Sequence, residues 1–506
     1  MLRPLSLWLA LISHLPALQV VLPLAAAPVC ALWRRGAGAW ALATTVCWLA
    51  FGIAVLLLRQ VQAIGTLSYA MGGWAAPWGI EYRIDALNAF MLLLVTGIGA
   101  VVITFARQAA VERRVRLPVE KHAWFYATYL LCLTGLLGIT ITGDAFNLFV
   151  FLEISSLSSY ALISVGRDRR ALTAAYQYLI MGTIGATFIL IGIGYLYVLT
   201  GTLNMEDLAR RLPAVTPTRT AHAAFAFLTV GIGLKLALFP LHLWLPNAYA
   251  YGPSVVTAFF AATATKVSVY VLLRIFFTLF GAAFSFGTMQ LDWVLLPLAL
   301  AGIVSASLVA IFQNNVKRML AYSSVAQIGY MLLGISLVSV TGLTAAIVHL
   351  FNHALMKGAL FLALGCVSFR IGSAKLEDMA GLGRTMPWTM GAFTLGGLSL
   401  IGVPLTAGFI SKWYLLLGIL QRGWWPVAVL VLLTSLLALI YIWRVVEAAY
   451  FRPLPDGRAP PQEAPLFLLV PTWTLALANL YFGIDTSFSV GVARQAAELL
   501  LPGTAS

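Results

Sequence analysis

Charged residues are scarce in this sequence. Only 9% of its 506 residues are Asp, Glu, Lys or Arg, whereas 61% are apolar. A soluble globular protein has about 25% charged and about 45–50% apolar residues. So few charges cannot cover a surface that faces water, and the composition therefore excludes a soluble enzyme of this length. The long apolar runs also exclude a transmembrane β-barrel, whose segments are short and alternating.

The sequence also has few groups that could hold a redox centre. Its four cysteines, Cys30, Cys47, Cys132 and Cys366, all lie in apolar runs and lack the paired spacing of a metal site. We interpret them as small buried hydrophobic residues. The sequence contains no Cys-x-x-Cys pair and no Gly-x-Gly-x-x-Gly after a strand. We therefore expect no bound cofactor and no metal, and we expect that the chain is not itself a redox catalyst.

Acidic residues are scarcer than basic residues. There are 17 Asp and Glu against 31 Lys and Arg, which gives a formal net charge of +14. In a soluble protein this excess would suggest nucleic-acid binding. Here the basic residues lie in short loops beside apolar runs, which is the pattern of the positive-inside rule. We therefore predict contact with a lipid bilayer and no nucleic-acid partner.

The sequence is rich in apolar runs. Fourteen of these runs are long enough to cross a bilayer as a helix. We call them spans 1 to 14, at approximately 15–33, 39–58, 88–106, 123–142, 145–165, 174–200, 221–245, 254–280, 291–312, 319–339, 342–369, 388–418, 424–450 and 464–485. The predicted fold is an all-α integral membrane protein with about 14 transmembrane helices. We interpret span 1 as a retained helix, not a signal peptide, and we expect no long C-terminal arm after span 14.

The charges of the loops predict the orientation in the membrane. Loops after odd-numbered spans carry most of the basic residues: Arg34-Arg35, segment 107–121, Arg167 to Arg170, Lys317-Arg318, Arg370 to Arg384 and Arg452 to Arg458. Loops after even-numbered spans carry few. Because basic loops stay in the cytoplasm, we expect a cell (inner) membrane protein with both termini on the periplasmic or outer side.

Helix breakers interrupt two of the spans. Span 7 has Gly231 and Gly233 before Lys235 and Pro240 and Pro246 after it, and span 12 has Gly402, Pro404 and Gly408 before Lys412. Broken helices at corresponding places in two halves point to an ion site and to inverted repeats. We predict two inverted five-helix repeats, helices 4–8 and helices 9–13. The expected divisions are N-terminal helices 1–3 at 1–122, a first half-channel repeat at 123–280, a second at 281–450, and a loop with helix 14 at 451–506.

A few ionisable residues lie at mid-membrane depth: Glu153 in span 5, Lys235 in span 7, Lys266 in span 8 and Lys412 in span 12. A charge at the bilayer centre costs about 2.5–3.5 kcal/mol on insertion scales, so such residues are candidates for function. The structural alternatives are a neutral or paired carboxyl and a snorkelling lysine. A lysine whose pKa changes as a carboxylate approaches could act as a proton switch. At the start of span 5, Asp144 is expected mainly to cap the helix.

Span 11 carries a ladder of titratable side chains. His349, His353 and Lys357 are spaced i, i+4 and i+8, which places them on one helix face over about 12 Å. Such a ladder suits proton hopping through water, because imidazole both accepts and donates protons. Hydrogen bonds that pack helices remain an alternative, and a metal site would need more ligands. We expect His242 about two helical turns after Lys235 and roughly on the same face.

Five motifs contain these residues: Gly-Asp-x-Phe-Asn-Leu-Phe-Val-Phe-x-Glu (143–153), Lys-x-x-x-x-Pro-x-His-x-Trp-Leu-Pro (235–246), Lys-Arg-x-Leu-Ala-Tyr-Ser-Ser (317–324), His-x-x-x-His-Ala-x-x-Lys (349–357) and Gly-Phe-x-x-Lys (408–412). Together they resemble the antiporter-like family shared by Mrp-type cation/proton antiporters, respiratory complex I and membrane-bound hydrogenases. The resemblance covers nearly the whole chain and is best from about 120 to 420. Within span 5, Asn-Leu-Phe-Val-Phe (147–151) is most similar to the D subunit of Mrp antiporters.

The resemblance implies a role for each mid-membrane residue. Glu153 and Lys235 would be the ion-pair switch of the first half-channel. Lys266, with His349 and His353, would form the central relay, and Lys412 would be the exit-side lysine of the second half-channel. The chain departs from many relatives at Asn247, Asn315 and Gln327, where those relatives have an acid, Asp and His. These departures concern proton access at the periphery, not the central axis.

Two functions fit this resemblance. The first is a proton-translocating subunit of a multisubunit Mrp-type antiporter, which exchanges Na⁺ or another monovalent cation for H⁺ with other membrane subunits as partners. The alternative is a proton-pumping membrane subunit of a complex I-like NADH-quinone oxidoreductase or an energy-converting hydrogenase. A stand-alone secondary transporter is a third hypothesis. Sodium would need several oxygen ligands and the sequence has no such cluster, so we expect any sodium path to lie partly on a partner.

Overall fold

The chain folds almost entirely into helices in a computed structural model, which describes residues 12–33, 36–107, 121–165, 169–455, 457 and 459–502. Within these ranges, twelve helices are long and apolar enough to cross a membrane: Leu15–Leu32, Gly36–Ile64, Ala86–Phe105, His122–Ile141, Ala145–Ser164, Arg169–Thr200, Ser254–Leu279, Asp292–Ile311, Val316–Ser336, Val340–Ile371, Trp425–Phe451 and Leu466–Ile484. They are spans 1–6, 8–11, 13 and 14. The basic residues Arg34, Arg35 and Arg167 lie outside the described ranges, as does most of 107–121.

The two remaining spans are broken, as the sequence predicts. Span 7 consists of Arg219–Leu236 and Trp244–Tyr251, and span 12 consists of Pro387–Ile401 and Ala407–Gln421. Each first helix ends on a left-handed residue, Ala237 with φ 61° and Gly402 with φ 91°. A backbone hydrogen bond closes each end: Leu238 N donates to Gly233 O, and Val403 N donates to Leu398 O. Each bond satisfies a carbonyl at the break. The predicted all-α fold with about 14 transmembrane helices and two broken ones is confirmed.

The spans divide into an enclosed interior and a lipid-facing exterior. In spans 8 and 10, 94% of the central residues are buried, and in spans 4 and 11 the share is 83%. Span 11 packs against spans 8, 10, 12 and 14 and is thus the central helix of the bundle. Spans 2, 6, 9 and 13 bury at most 39%. Their exposed leucine, isoleucine and tryptophan side chains are stable there because lipid tails are as apolar as leucine.

A pair of backbone hydrogen bonds, which we call a clamp, occurs twice along the chain. In the first, Ala145 N donates to Leu203 O and Met205 N donates to Gly143 O, each at 2.8 Å. The second is formed by the corresponding residues Val316, Ala374, Leu376 and Asn314, also at 2.8 Å. The clamps tie the start of span 5 to the end of span 6, and the start of span 10 to the end of span 11. Five spans separate them, so they lie on opposite faces of the bundle, as inverted repeats require.

The residue before each clamped helix caps it. The Asp144 carboxylate accepts a hydrogen bond from Asn147 N at 2.7 Å, and the Asn315 side chain accepts one from Arg318 N at 3.1 Å. The capping role expected for Asp144 is therefore confirmed.

Span 8 lies at Ser254–Leu279, close to the predicted 254–280, but its helix is not continuous. It is interrupted at Thr263 (φ −124°, ψ −57°) and continues as Ala264–Leu273, followed by a π-helical turn at Arg274–Leu279. The Thr263 hydroxyl donates to Phe259 O at 2.7 Å. Such a local side-chain bond competes with regular helix geometry. No glycine or proline marks the interruption, so only the structure reveals it.

Several elements have no counterpart among the predicted spans and lie on the face that carries the loops after even-numbered spans, which we call the even face. Strands β1 (Leu67–Ala70) and β2 (Glu81–Ile84) form an antiparallel hairpin in which Leu67 pairs with Ile84. An amphipathic helix, Met205–Val215, follows span 6, and a C-terminal helix, Ser487–Leu500, follows span 14. These elements close much of the even face over the bundle.

A close crossing of spans 4 and 5 generates a testable prediction. A Cβ added at Gly135 would lie 2.5 Å from Ser155 N, whereas one added at Gly194 would meet nothing within 4 Å. Overpacking costs about 1–3 kcal/mol, so Gly135→Ala should lower the melting temperature of the purified protein in detergent. Gly194→Ala is the matched control and should leave it unchanged or raise it, because alanine is the better helix former. Equal melting temperatures for the two variants would contradict this packing.

Candidate functional site

The structure brings Glu153 and Lys235 together. The Lys235 Nζ lies 3.3 Å from the Glu153 Oε1 and donates a hydrogen bond to the Ser156 Oγ at 2.6 Å. Lys235 belongs to the last turn before the break in span 7, and Glu153 and Ser156 lie on span 5. The lysine side chain is 4% exposed and the carboxylate side chain is 28% exposed. The ammonium is thus enclosed, while its counter-ion reaches the surface of the chain.

A small polar cavity lies beside this pair. It has a volume of about 20 Å³, and Lys235 lines it together with Ser155, Ser156 and Ser159 of span 5 and Ser268 of span 8. A cavity of this size holds one water molecule. The sequence analysis did not identify these serines, although the run Ser-Ser-Leu-Ser-Ser (155–159) in an apolar span was a usable signal. The cavity extends the polar environment of Lys235 to span 8.

Lys266 is fully buried in span 8. Its Nζ donates to the Ala261 carbonyl and lies 3.4 Å from the Thr265 Oγ. The interruption at Thr263 separates Lys266 from the helix that contains Ala261, and the lysine side chain reaches back across it. The interruption therefore supplies an oxygen for an ammonium group that packs among apolar side chains.

On span 11, His349, His353 and Lys357 lie on one unbroken helix. The two imidazole rings stack with centroids 5.9 Å apart and planes 10° apart, and His353 is within electrostatic range of Lys266 and Lys357. Lys357 Nζ donates to Leu320 O at 2.7 Å. Three ring nitrogens, both of His353 and the Nε2 of His349, have no hydrogen-bond partner among the described residues. Buried polar atoms of this kind normally bind ordered water.

The break in span 12 holds the last lysine. The Lys412 Nζ donates to Ile401 O at 2.7 Å and to the Ser435 Oγ at 3.1 Å, and it lies 5.2 Å from the centroid of the Tyr330 ring. The Tyr330 ring in turn packs edge-on against His349 at 5.9 Å. Ser411 directly precedes Lys412, and its Oγ lies 2.8 Å from the His349 Nδ1. Lys412 is therefore joined to the ladder of span 11.

The expected position of His242 was wrong. The first helix of span 7 ends at Leu236 and the second begins at Trp244, so no helical repeat connects His242 with Lys235. The His242 ring stacks on Phe239 at 5.3 Å and meets Tyr322 edge-on at 6.3 Å. The broken backbone, which the prolines predict, is itself the reason that the helical spacing fails here.

The described part of the chain offers no ready metal centre. Within the described ranges, no three His, Cys, Asp or Glu side chains come together as possible ligands. The four cysteines are buried and free.

Comparisons with known proteins agree on one family. Residues 142–438 match the family described as NADH:quinone oxidoreductase/Mrp antiporter, TM. The chain is 44% identical to the N subunit of the NADH-quinone oxidoreductase of Desulforudis audaxviator, over 93% of this chain and 96% of the relative. It is 30% identical to the D subunit of the Na(+)/H(+) antiporter of Bacillus subtilis, over 89% and 90%. In the solved Mrp complex of Dietzia sp. DQ12-45-1b, one chain is 27% identical, with a TM-score of 0.87 and 98% of both chains covered.

The Glu153–Lys235 contact predicts an asymmetric effect on stability. Glu153→Leu leaves an enclosed ammonium with one serine partner, whereas Lys235→Met leaves a carboxylate that is partly exposed. Glu153→Leu should therefore lower the melting temperature more than Lys235→Met, and the double variant should recover part of the loss. We expect a coupling free energy of about 1–3 kcal/mol from a double-mutant cycle.

The exposed pair Lys375–Glu377 is the control for this cycle. Its nitrogen and oxygen atoms are 3.2 Å apart, a similar distance, but its side chains are 63% and 74% exposed. Solvent screening should reduce its coupling to less than about 0.5 kcal/mol. Strict additivity at Glu153 and Lys235 would show that the two groups do not interact.

Proposed function

Because the chain belongs to the NADH:quinone oxidoreductase/Mrp antiporter transmembrane family, we propose that it is a proton-translocating subunit of a multisubunit Mrp-type antiporter. In this assembly it moves protons in exchange for Na⁺ or another monovalent cation. The observation that carries the proposal is the contact between Glu153 and the enclosed Lys235, next to a broken helix. Broken helices at mid-membrane are where secondary transporters place their ion sites.

Protons move laterally along a file of titratable side chains. The file begins at the pair Glu153–Lys235, whose small polar cavity borders span 8, the span that carries Lys266. From Lys266 it continues along His353 and His349 to Lys412, with Lys357 at the side of the ladder. So many buried cationic groups with one acid cannot all be charged in a medium of low dielectric constant. A proton that arrives on one group therefore disfavours a proton on its neighbour. Movement of the Glu153 carboxylate towards or away from Lys235 sets the direction of transfer.

The subunit consists of two half-channel repeats, at 123–280 and 281–450, which are joined by the ladder of span 11. Loops after odd-numbered spans face the cytoplasm, and both termini face the periplasmic or outer side. Other membrane subunits cover the surface where the Glu153 side chain is 28% exposed, because a carboxylate at mid-membrane is costly against lipid. The repeated backbone clamps and the two breaks support this arrangement.

One observation favours a second function. The 44% identity with the N subunit of an NADH-quinone oxidoreductase, over 93% of the chain, suits a proton-pumping subunit of a complex I-like oxidoreductase or an energy-converting hydrogenase. The two functions differ in what drives the protons. The native complex should be purified through a tag on this chain, assayed for iron and reconstituted into liposomes. Sodium-driven proton flux without an electron donor supports the antiporter, whereas bound iron and flux that requires an electron donor support the redox-driven pump.

Removal of either member of the ion pair should abolish transport. Lys235→Ala and Glu153→Ala should each reduce proton flux at least tenfold while the complex still assembles. Flux can be measured with a pH-sensitive dye in inverted vesicles, and assembly on a native gel. Lys375→Ala is the control, because that lysine is exposed in a loop, and it should transport normally. Normal flux in either pair variant would refute the switch.

Lys412 tests whether a titratable group is sufficient at the end of the file. Lys412→Glu should retain more proton flux than Lys412→Ala in the same vesicle assay, because a carboxyl group can still accept and release a proton. An equal loss in both variants would instead mean that the positive charge itself is required beside Ile401 O and Ser435.

A further inference from the structure

The even face contains a cavity that the proton file does not use. It has a volume of about 220 Å³ and lies between the hairpin, the amphipathic helix Met205–Val215, the C-terminal helix and the end of span 8. Arg83 and Ala209 lie on its walls, and Asp85, Asn88, Tyr270 and Arg274 line it more deeply. Polar side chains in a cavity of this size favour filling by water over lipid.

The deep residues form one hydrogen-bonded network. The Arg274 guanidinium donates to the Asp85 Oδ1 at 2.6 Å and to the Asn88 Oδ1 at 2.5 Å. The Asn88 amide donates to the Tyr270 hydroxyl at 2.8 Å, and that hydroxyl donates to Thr140 O at 2.9 Å. Arg274 begins the π-helical turn of span 8, and such turns are frequent at functional sites.

Asp85 is the anchor of this network. Burial alone would raise the pKa of its carboxyl, but the Arg274 guanidinium and the backbone N–H groups of Asn88 and Leu87 outweigh burial and hold the pKa below its usual range. Asp85 is therefore ionised at neutral pH and keeps Arg274 in place. The group in the network that can pass a proton without leaving a buried charge unpaired is the Tyr270 hydroxyl.

Tyr270 lines the even-face cavity, and its hydroxyl bonds to span 4. Its acceptor Thr140 belongs to span 4, and the Thr140 hydroxyl donates to Leu136 O at 2.7 Å. Leu136 lines the small cavity of Lys235, as does Ser268, two residues before Tyr270 on span 8. Both cavities therefore border spans 4 and 8, and Thr142 and Tyr270 of these spans line the even-face cavity.

We propose that the even-face cavity is a second mouth of the ion path, through which Lys235 exchanges protons with water by way of the Tyr270 hydroxyl. This inference rests on the proposed function. The Lys235 ammonium releases a proton to water in the small cavity. The Tyr270 hydroxyl turns away from Thr140 O and gives its proton to water in the even-face cavity, and its oxygen accepts the proton that arrives from the side of Lys235. The step is reversible, and Lys235 is left neutral until it is protonated again. Asp85 and Arg274 act as positioning residues that hold the Tyr270 hydroxyl in place at rest.

Blocking the cavity tests the proposal. In the complex with Ala209→Cys, the new thiol lines the cavity, whereas Ala214→Cys places one on the same helix outside the lining residues. The purified complexes are labelled with a bulky, charged thiol reagent and reconstituted, and proton flux is compared with that of the same sample before labelling. The native cysteines of the chain are buried and should not react. Labelling should reduce flux at least tenfold with Ala209→Cys and leave it unchanged with Ala214→Cys.

The results distinguish this proposal from the proposed function. If the unlabelled wild-type complex moves no protons, the proposed function fails. If the wild-type complex transports but labelled Ala209→Cys retains full flux, the second mouth is refuted. Failure of Ala209→Cys to react, measured by mass spectrometry while Ala214→Cys reacts, would also refute it, because the cavity would then be closed to water.

A second pair of variants tests the hydroxyl itself. Tyr270→Phe and Tyr129→Phe each remove one buried hydroxyl that donates to a carbonyl, Thr140 O and Gly99 O respectively, at 2.9 and 2.8 Å. Tyr270→Phe also removes an acceptor from the Asn88 amide, so we expect it to lower the melting temperature more than Tyr129→Phe does. Only Tyr270→Phe should lose proton flux, at least fivefold, in complexes that assemble equally well. Equal flux in the two variants would overturn the role of Tyr270. If Tyr270→Phe does not assemble, the labelling experiment decides alone.

Discussion

An ammonium group inside a membrane protein needs oxygen atoms, and in a regular helix each carbonyl already accepts one backbone hydrogen bond. Three of the buried lysines meet this constraint by irregular backbone or by serine. Lys412 bonds to the carbonyl of Ile401 at the break in span 12, Lys266 reaches Ala261 O across the interruption in span 8, and Lys235 bonds to Ser156. The interruptions in spans 8 and 12 therefore supply oxygen atoms to two of these lysines, whereas Lys357 bonds to Leu320 O within the regular helix of span 10.

This constraint also explains why the two repeats differ. In the first repeat the lysine precedes its break and is paired with a carboxylate, Glu153, on span 5. In the second, Lys412 follows its break, and its partners are carbonyls, a serine hydroxyl and the face of Tyr330. A carboxylate can move or change its charge, whereas a backbone carbonyl can do neither. The first repeat is thus suited to switching, and the second to receiving and passing on a proton.

Span 11 connects these two environments. Because it lies at the centre of the bundle, its His349–Lys357 face is shielded from lipid along its length and meets residues of spans 8, 10 and 12. On the even face, the hairpin, the amphipathic helix and the C-terminal helix build a cavity over spans 3, 4 and 8. The molecule therefore combines a dry outer layer of spans with an interior in which polar groups follow one another closely.

The sequence by itself determined the all-α membrane fold, the number of spans and the two proline-marked breaks. These features depend on local hydrophobicity and on residues that cannot continue a helix. It also identified Glu153, Lys235, Lys266 and Lys412, because charge is conspicuous in an apolar run.

Only the tertiary structure decided the partners of these residues. Ser156, Tyr330 and Tyr270 are ordinary in the sequence, and they matter because distant spans bring them beside a lysine or into the lining of a cavity. The interruption at Thr263 and the true surroundings of His242 were beyond the sequence for the same reason, since packing and hydrogen bonding across spans override local helical periodicity.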